Sequence, residues 1–164
     1  NDIVPYMAPD NVKLKETGTE IHFYGYYRMW VPQENFYYCS ENTGFKVNPE
    51  RTEGTYSKYA SIDDKLDGFH YWTGYVKFGV GRAMHEACQE VRNGDVTRDE
   101  AIALIRKYDG EFPDKYFKEI MKYLEIKEDH FINLCDQFRS PHLWKKIRNN
   151  WYLRHTANKD GIDD

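Results

Sequence analysis

The second half of the chain repeats one spacing of apolar residues. In four segments these residues stand at positions i, i+3, i+4 and i+7, which places them in a stripe along one side of an α-helix. The stripes are Met84, Ala87, Cys88, Val91; Ala101, Leu104, Ile105, Tyr108; Phe117, Ile120, Met121, Leu124; and Phe131, Leu134, Cys135, Phe138. The pattern predicts a compact array of helices joined by short connections.

Start and stop signals support the boundaries of one of these helices. Thr97-Arg-Asp-Glu100 has the form of a capping box, in which the hydroxyl and the carboxylate satisfy free amides at the helix start. Gly110 and Pro113 follow the last apolar position of that stripe and separate this helix from the next.

Two more helices are predicted before this array. Pro32 suits a first helical position and Gly44 follows the last periodic residue, which indicates a helix over 32–43. A second helix, over 62–78, has its apolar stripe at Leu66, Phe69, Trp72 and Val76. Two glycines inside this second helix indicate close packing or a break.

The segment Ile21–Trp30 has a different pattern. Aromatic and β-favouring residues occupy both alternating faces, as in a strand that is covered on both sides, and predict a strand at about 21–28. Trp151–His155 is the other candidate strand. Because a sheet of two strands is marginal in water, we expect the first strand to pair with a second copy of the chain, or to be covered by Tyr- and Trp-rich segments. The predicted fold class is mostly α with one or two β-strands.

Composition narrows the possible functions. The chain has 164 residues, enough for one domain with a real core, and a net charge of -4 at pH 7. Nucleic-acid binding needs a clustered basic excess, so we expect no nucleic-acid partner. No apolar run is long enough for a membrane span, and the first thirty residues lack the pattern of a signal peptide. We therefore expect a soluble cytoplasmic protein.

The three cysteines, Cys39, Cys88 and Cys135, lie far apart without a C-x-x-C pair. Two of them fall on apolar helical stripes, so we expect reduced core residues rather than metal ligands, and no metal site. The chain begins at Asn1 and not at methionine. Either processing removed a segment or the sequence is part of a longer protein.

The stretch Asn48–Ser61, "NPERTEGTYSKYAS", contains no Val, Ile, Leu, Met or Phe. Arg51 and Lys58 are suited to phosphates, and Tyr56 and Tyr59 to stacking on a sugar or base. Charge-balanced polar loops are also common on protein surfaces. From its residues alone, this stretch is either a surface loop or a site.

A second candidate anion site follows helix 62–78. His70, Thr73 and Lys77 share the side opposite the apolar stripe, and Arg82 comes after Gly79-Val-Gly81. A turn with two glycines at a helix junction can present amides to a phosphate or carboxylate. Alternatively, the glycines only end one helix and let the next one pack. No nucleophile elbow, zinc-protease motif or phosphate loop is present, so the catalytic residues stay unknown.

The order of several motifs is itself informative. The chain carries "FYGYYRMWVPQENFYY", then "TGFKVNPERTEGTYSKYASIDDKLDGFHYW", then "KFGVGRAMHEACQEVRNGDVTRDEAIALIRKYDGEFP", then "FRSPHLW". From about residue 20 to about residue 146, this order resembles the C-terminal part of the N-acetyl sugar amidotransferases of bacterial surface-polysaccharide biosynthesis.

The resemblance implies the C-terminal helical portion of an α/β PP-loop ATPase fold, with the phosphate-loop domain missing. Residues 1–30 would end the nucleotide-binding domain, residues 31–146 would form the helical region and residues 147–164 a tail. With ATP and Mg²⁺, the full-length enzyme would convert the acetamido group of a sugar or sugar nucleotide to an acetamidino group. Ammonia would come from a glutaminase subunit delivered with a cyclase-like partner. This chain lacks the phosphate loop, so we expect it to bind no ATP and to be inactive alone.

The resemblance also singles out a substrate-facing set. Arg51, Thr52 and Tyr56 fall in the family's R-T-x-x-x-Y segment, His70 and Tyr71 in its H-Y pair, and Lys77 and Arg82 in its K-F-x-x-G segment. The three cations are the expected anion contacts, and His70 and Tyr56 the expected hydrogen-bonding partners of the sugar or amide. The alternatives are a non-catalytic helical module that docks the partner subunits, or a helical domain with no ligand of its own.

Overall fold

The computed structural model describes residues 2–157, and within them the fold is mostly helical, as predicted. A 3-10 turn at Val4–Tyr6 precedes eight α-helices and one two-stranded sheet. The helices are α1 Asn11–Thr17, α2 Tyr24–Tyr27, α3 Pro32–Asn42, α4 Asp67–Phe78, α5 Arg82–Asn93, α6 Arg98–Tyr108, α7 Phe117–Tyr123 and α8 Glu128–Gln137, and the strands are β1 Trp144–Ile147 and β2 Asn150–Leu153. Asn1 and the last seven residues of the predicted 147–164 tail lie outside the described residues.

The chain divides into two compact units, one up to Asn35 and one from Phe36 onward. In the first unit, the Asp10 carboxylate accepts a hydrogen bond from the Val12 amide at 2.8 Å and so caps the start of α1. Among the described residues of this unit, only Val31 is buried. The predicted domain division at residue 30 stays a prediction.

The predicted strand at about 21–28 is wrong. Residues 21–23 have no regular structure and Tyr24–Tyr27 form one helical turn, in which the Arg28 amide donates to the Tyr24 carbonyl at 3.1 Å. A strand needs a neighbour for its backbone hydrogen bonds, whatever its side-chain pattern, and no strand pairs with this segment within residues 2–157. The predicted strand-mediated dimer therefore has no strand edge in this segment on which to form.

The core of the second unit lies between α4, α7 and α8. The α4 stripe buries Phe69, Trp72 and Val76, as its spacing predicts. Phe69 stacks on Phe117 of α7 at 6.2 Å between ring centroids, and Trp72 meets Phe112 edge-on at 4.9 Å. α4 starts five residues later than predicted, at Asp67, since 62–66 form bends and no helix.

The two strands form an antiparallel hairpin that is anchored on α4. Trp144 pairs with Leu153 in the register, and its indole N–H donates to the Val76 carbonyl at 2.8 Å. Arg139 lies over the Trp144 ring, 4.3 Å from its centroid. The candidate strand at 151–155 therefore exists as β2, with its partner just before it in sequence.

Helix α5 is rotated relative to its predicted stripe. Its buried residues are Ala83 and Ala87, while Cys88 and Val91 are exposed. The face that carries Ala83 meets the Asn48–Ser61 stretch, because the Ala83 amide donates to the Gly54 carbonyl at 3.0 Å. The prediction that all three cysteines are core residues is wrong for Cys88. Cys135 is buried, and burial raises the pKa of its thiol.

Candidate functional site

The stretch Asn48–Ser61, called the polar loop below, is closed on itself by its own hydrogen bonds. The Asn48 amide donates to the Lys58 carbonyl at 2.9 Å, and the Thr52 hydroxyl donates to the Ala60 carbonyl at 3.0 Å. Thr55 is fully buried and Ser57 is 8% exposed. Two buried polar side chains need partners, so this loop is part of the packed structure and not a solvated connector.

Arg51 ties the polar loop to the connection between α6 and α7. Its guanidinium donates to both oxygens of Glu111, at 2.6 and 2.7 Å, and lies over the Tyr108 ring at 4.7 Å. The Gly54 amide donates to the same carboxylate at 2.9 Å. These hydrogen bonds stabilise the charged forms, so they lower the pKa of Glu111 and raise that of Arg51.

The Arg51–Glu111 pair makes stability depend on pH. Because the folded-state pKa of Glu111 lies below its ordinary value of 4.5, its contribution is present above pH 4.5 and is lost as the pH falls through the folded-state pKa. We expect Glu111→Gln to have a lower unfolding free energy at pH 7, with a smaller loss between pH 7 and pH 4 than the wild type. Urea unfolding at both pH values measures this. An equal loss in both proteins would contradict it.

Arg82 sits at the centre of a second cluster. Its Nε donates to Glu86 and its Nη1 to Asp67, each at 2.9 Å, and Nη1 also donates to the Ser61 hydroxyl. The guanidinium lies over the Tyr71 ring at 4.2 Å, and the side chain is only 11% exposed. Arg82 therefore joins α4, α5 and the end of the polar loop.

One threonine hydroxyl and one tyrosine hydroxyl of the polar loop bind carboxylates of α5. The Thr55 hydroxyl donates to Glu86, and the Tyr56 hydroxyl donates to Glu90 at 2.8 Å. Burial raises the pKa of Tyr56 and of Glu90. Tyr56 is thus held inside the fold by a carboxylate of its own chain.

A protein carboxylate occupies the predicted anion position at the start of α5. The Gly81 and Met84 amides each donate to an oxygen of Asp109, at 3.0 Å. A Cβ at Gly81 would lie 2.5 Å from Asp109, so the glycine is required by this close approach. Burial raises the pKa of Asp109. Asp109 therefore accepts the hydrogen bonds of amides that were predicted to face a ligand anion.

Lys77 lies apart from these clusters, whereas the His70 ring meets the Tyr71 ring edge-on at 5.4 Å between centroids. His70 and Lys77 are exposed and line an apolar groove between α4 and α8. Five of the predicted site residues belong to the polar loop or to the Arg82 cluster that contacts it. They are Arg51, Thr52, Tyr56, Tyr71 and Arg82. The substrate contacts predicted for the whole set remain predictions.

A cleft of about 350 Å³ opens between the polar loop, the 61–65 turn and the start of α7. Its charged lining consists of Glu50, Glu53, Asp63, Asp64, Arg51, Lys65 and Lys115. Each of the three cations is ion-paired: Arg51 with Glu111, Lys65 with Glu119 and Lys115 with Glu50. The charged lining of the cleft therefore carries no excess of positive charge.

Sequence reasoning missed the part of this cleft that comes from outside the polar loop. Lys115 and Tyr116 end the α6–α7 connection, and the Lys115 amide donates to Glu53 at 2.8 Å. No local pattern marks these residues, because contacts with a loop 62 residues away bring them to the cleft. Pro113, singled out only as a helix separator, also lines it.

The described residues contain no metal-binding cluster and no membrane-spanning helix. In residues 2–157 no three His, Cys, Asp or Glu side chains gather as a metal site would require. None of the helices in that range has the length and apolar character to cross a bilayer.

The chain is similar to a known protein family. A family model described as "LPS biosynthesis protein WbpG-like, C-terminal domain" matches residues 53–157. The match begins inside the polar loop and includes Tyr56, His70, Lys77 and Arg82, whereas Arg51 and Thr52 lie just before it. No curated protein matches the chain.

Proposed function

The chain belongs to the family of WbpG-like C-terminal domains of LPS biosynthesis proteins, and from this premise we propose that it forms the C-terminal domain of an ATP-dependent N-acetyl sugar amidotransferase. The family description supports a role in lipopolysaccharide biosynthesis. The motif order of the sequence supports the specific reaction, conversion of an acetamido group on a sugar or sugar nucleotide to an acetamidino group.

The proposed reaction solves a leaving-group problem. The amide oxygen of the acetamido group attacks the α-phosphorus of ATP and pyrophosphate leaves. Ammonia then adds to the activated carbon, and AMP leaves with that oxygen. Without activation, the amide oxygen is too poor a leaving group for ammonia to displace. ATP is a cytoplasmic reactant, so we assign the reaction to the cytoplasm.

The described residues do not fit a nucleotide-phosphate site. The amides at the start of α5 already bind Asp109, and Arg51 and Arg82 already pair with carboxylates. We therefore derive no step on ATP or Mg²⁺ from this chain, and propose that both bind to another part of the full-length enzyme.

The observation that carries the proposal for this chain is the cleft beside the polar loop. It combines hydroxyl, amide and carboxylate groups with the aromatic ring of Tyr116, and its cations are ion-paired. Sugar hydroxyls donate and accept hydrogen bonds, and sugar C–H faces pack on aromatic rings. A pyrophosphate would instead need unpaired cations. We propose that the cleft takes the uncharged sugar of the substrate, with its phosphates outside.

The test uses the full-length protein. It is incubated with ATP, Mg²⁺, ammonium chloride and a panel of nucleotide-linked N-acetylated sugars, and mass spectrometry detects replacement of oxygen by an NH group. We expect product with at least one sugar, and an increase of about tenfold in sugar KM for Lys115→Ala. Lys122→Ala, an exposed lysine of α7 outside the cleft, is the matched control. No ATP-dependent product with any sugar would refute the reaction. An unchanged KM in Lys115→Ala would refute the assignment of the cleft.

A second candidate function is a non-catalytic module that docks the glutaminase and cyclase-like subunits. The exposed apolar side chains of α4 and α8 favour it, since Phe78 is 62% and Phe138 56% exposed. Amide hydrogen exchange with and without these subunits separates the two functions. Docking predicts protection on outward helix faces and none in the polar loop. Protection of the polar loop by a sugar substrate alone would contradict this second candidate.

A further inference from the structure

The groove between α4 and α8 is an apolar surface that the other described residues of the second unit leave open. Its volume is about 380 Å³, and Val76, Phe131, Leu134 and Phe138 contribute to its walls. Leu134 is 40% exposed and Phe138 56% exposed, although both belong to the apolar stripe of α8. Two of the four residues in that stripe are therefore exposed and not buried in the core of the second unit.

Gly74 is an interior glycine of α4 that lines this groove. A glycine in a helix interior lowers helix stability relative to alanine and needs a reason. Gly68, also in α4, has one, because a Cβ there would lie 3.2 Å from the Pro113 side chain. A Cβ at Gly74 would meet nothing within 4 Å. Packing among residues 2–157 therefore does not require Gly74, and its missing side chain leaves a notch in the groove.

One charged side chain lines the groove. It is Lys77, and among the described residues no carboxylate lines the groove. Lys77 forms no ion pair with the described residues, although its ammonium lies 5.2 Å from the centroid of the Phe78 ring. A second copy packed groove to groove would bring the two Lys77 ammonium groups together, which disfavours self-association.

We propose that the groove binds an acidic amphipathic helix of a partner protein. A bulky apolar side chain of that helix enters the notch at Gly74, its neighbours one turn away contact Phe78 and Phe138, and its carboxylates face Lys77. This is the helix-in-groove mode of recognition, in which apolar anchors recur at i, i+4 and i+7. The inference does not depend on the amidotransferase reaction.

Two synthetic peptides probe the groove directly. One is a helix of about 18 residues with Phe and Leu anchors at i, i+4 and i+7 and Glu at the flanking positions. The other has Lys in place of every Glu. Each is titrated into the 164-residue chain, and NMR shifts of the amides give both affinity and location. We expect the acidic peptide to shift residues of α4 and α8, and to bind about tenfold more tightly than the basic one.

Two variants separate the notch from the charge. Gly74→Leu fills the notch and should weaken the acidic peptide about tenfold, while Lys77→Glu should weaken it about fivefold and improve the basic peptide. Ala103→Leu is the control for the added side chain, because Ala103 is exposed on α6. Lys107→Glu is the control for the charge, because Lys107 lies over the Tyr108 ring at 5.1 Å, much as Lys77 lies over Phe78. Both controls should bind like the wild type.

Three results would overturn the inference: equal affinity for the two peptides, shifts outside α4 and α8, or wild-type affinity in both groove variants. Sedimentation velocity tests whether a second copy of the chain occupies the groove. If the wild-type chain self-associates and Gly74→Leu abolishes this, the groove belongs to a second copy and the proposal is wrong. Lys77→Glu changes an exposed side chain, so it keeps the test valid even if Gly74→Leu does not fold.

Discussion

Replacing Arg82 by alanine is expected to lower the free energy of unfolding by about 3 kcal/mol, because it leaves two partly buried carboxylates without their cation. The Arg82 side chain is 11% exposed, and its partners Asp67 and Glu86 are 28% and 25% exposed. The same guanidinium binds the Ser61 hydroxyl and covers the Tyr71 ring. Its loss therefore loosens the contact of α4 and α5 with the polar loop. Urea unfolding at pH 7 measures the change.

Two further variants test the cause of this loss. Arg82→Lys keeps the positive charge, but a lysine ammonium lacks the planar guanidinium that donates to both carboxylates. We therefore expect Arg82→Lys to be more stable than Arg82→Ala and less stable than the wild type. In the Arg82→Ala background, Asp67→Asn together with Glu86→Gln removes the uncompensated charges and should restore about 1 kcal/mol or more. If Arg82→Ala unfolds like the wild type, Arg82 does not hold this cluster together.

Gly110→Ala is expected to lower the free energy of unfolding by a similar amount, about 3 kcal/mol, from backbone strain and overpacking combined. Gly110 has φ of +76° and stands where α6 turns toward α7. A Cβ there would lie 2.2 Å from the Tyr75 ring. That ring cannot move away easily, since it packs edge-on against Trp144 at 5.3 Å between centroids. Its burial also raises the pKa of Tyr75 to about 12.

Gly94→Ala separates the two causes. Gly94 has φ of +85°, but a Cβ there would meet nothing within 4 Å. It should therefore show the backbone strain alone, about 1 kcal/mol. Thermal and urea unfolding measure the loss of unfolding free energy in both variants. The additional loss in Gly110→Ala is the cost of the clash with Tyr75. Equal losses in the two variants would show that Tyr75 moves aside at little cost.

The helices of the second unit could be predicted from the sequence because their signals are local. The apolar spacing of α4 and the capping box at Thr97 involve residues within one or two turns, and the structure has both. In the first unit, the same kind of reasoning predicted a strand at 21–28 that is absent. A strand depends on a neighbour elsewhere in the chain, and the sequence of the segment itself does not show whether that neighbour exists.

The candidate site was predicted only in part. The polar loop stood out because a stretch without aliphatic residues carried many hydrogen-bonding groups. The partners of those groups were not predictable, since Arg51 and Glu111 are 60 residues apart and nothing in either local sequence marks the pair. The predicted substrate-facing set was also divided, because Lys77 lines a groove apart from Arg82.

The sequence by itself determined the apolar stripe of α4 and the capping box of α6, and that the polar loop was rich in functional groups, because adjacent residues alone decide helical spacing, caps and loop composition. Only the tertiary structure decided which side of α5 is buried, that Asp109 binds the amides at its start, and that Lys115 closes the cleft. These arrangements depend on distances between segments far apart in the chain. Burial and ion pairing set those distances, and both act only when the segments pack together.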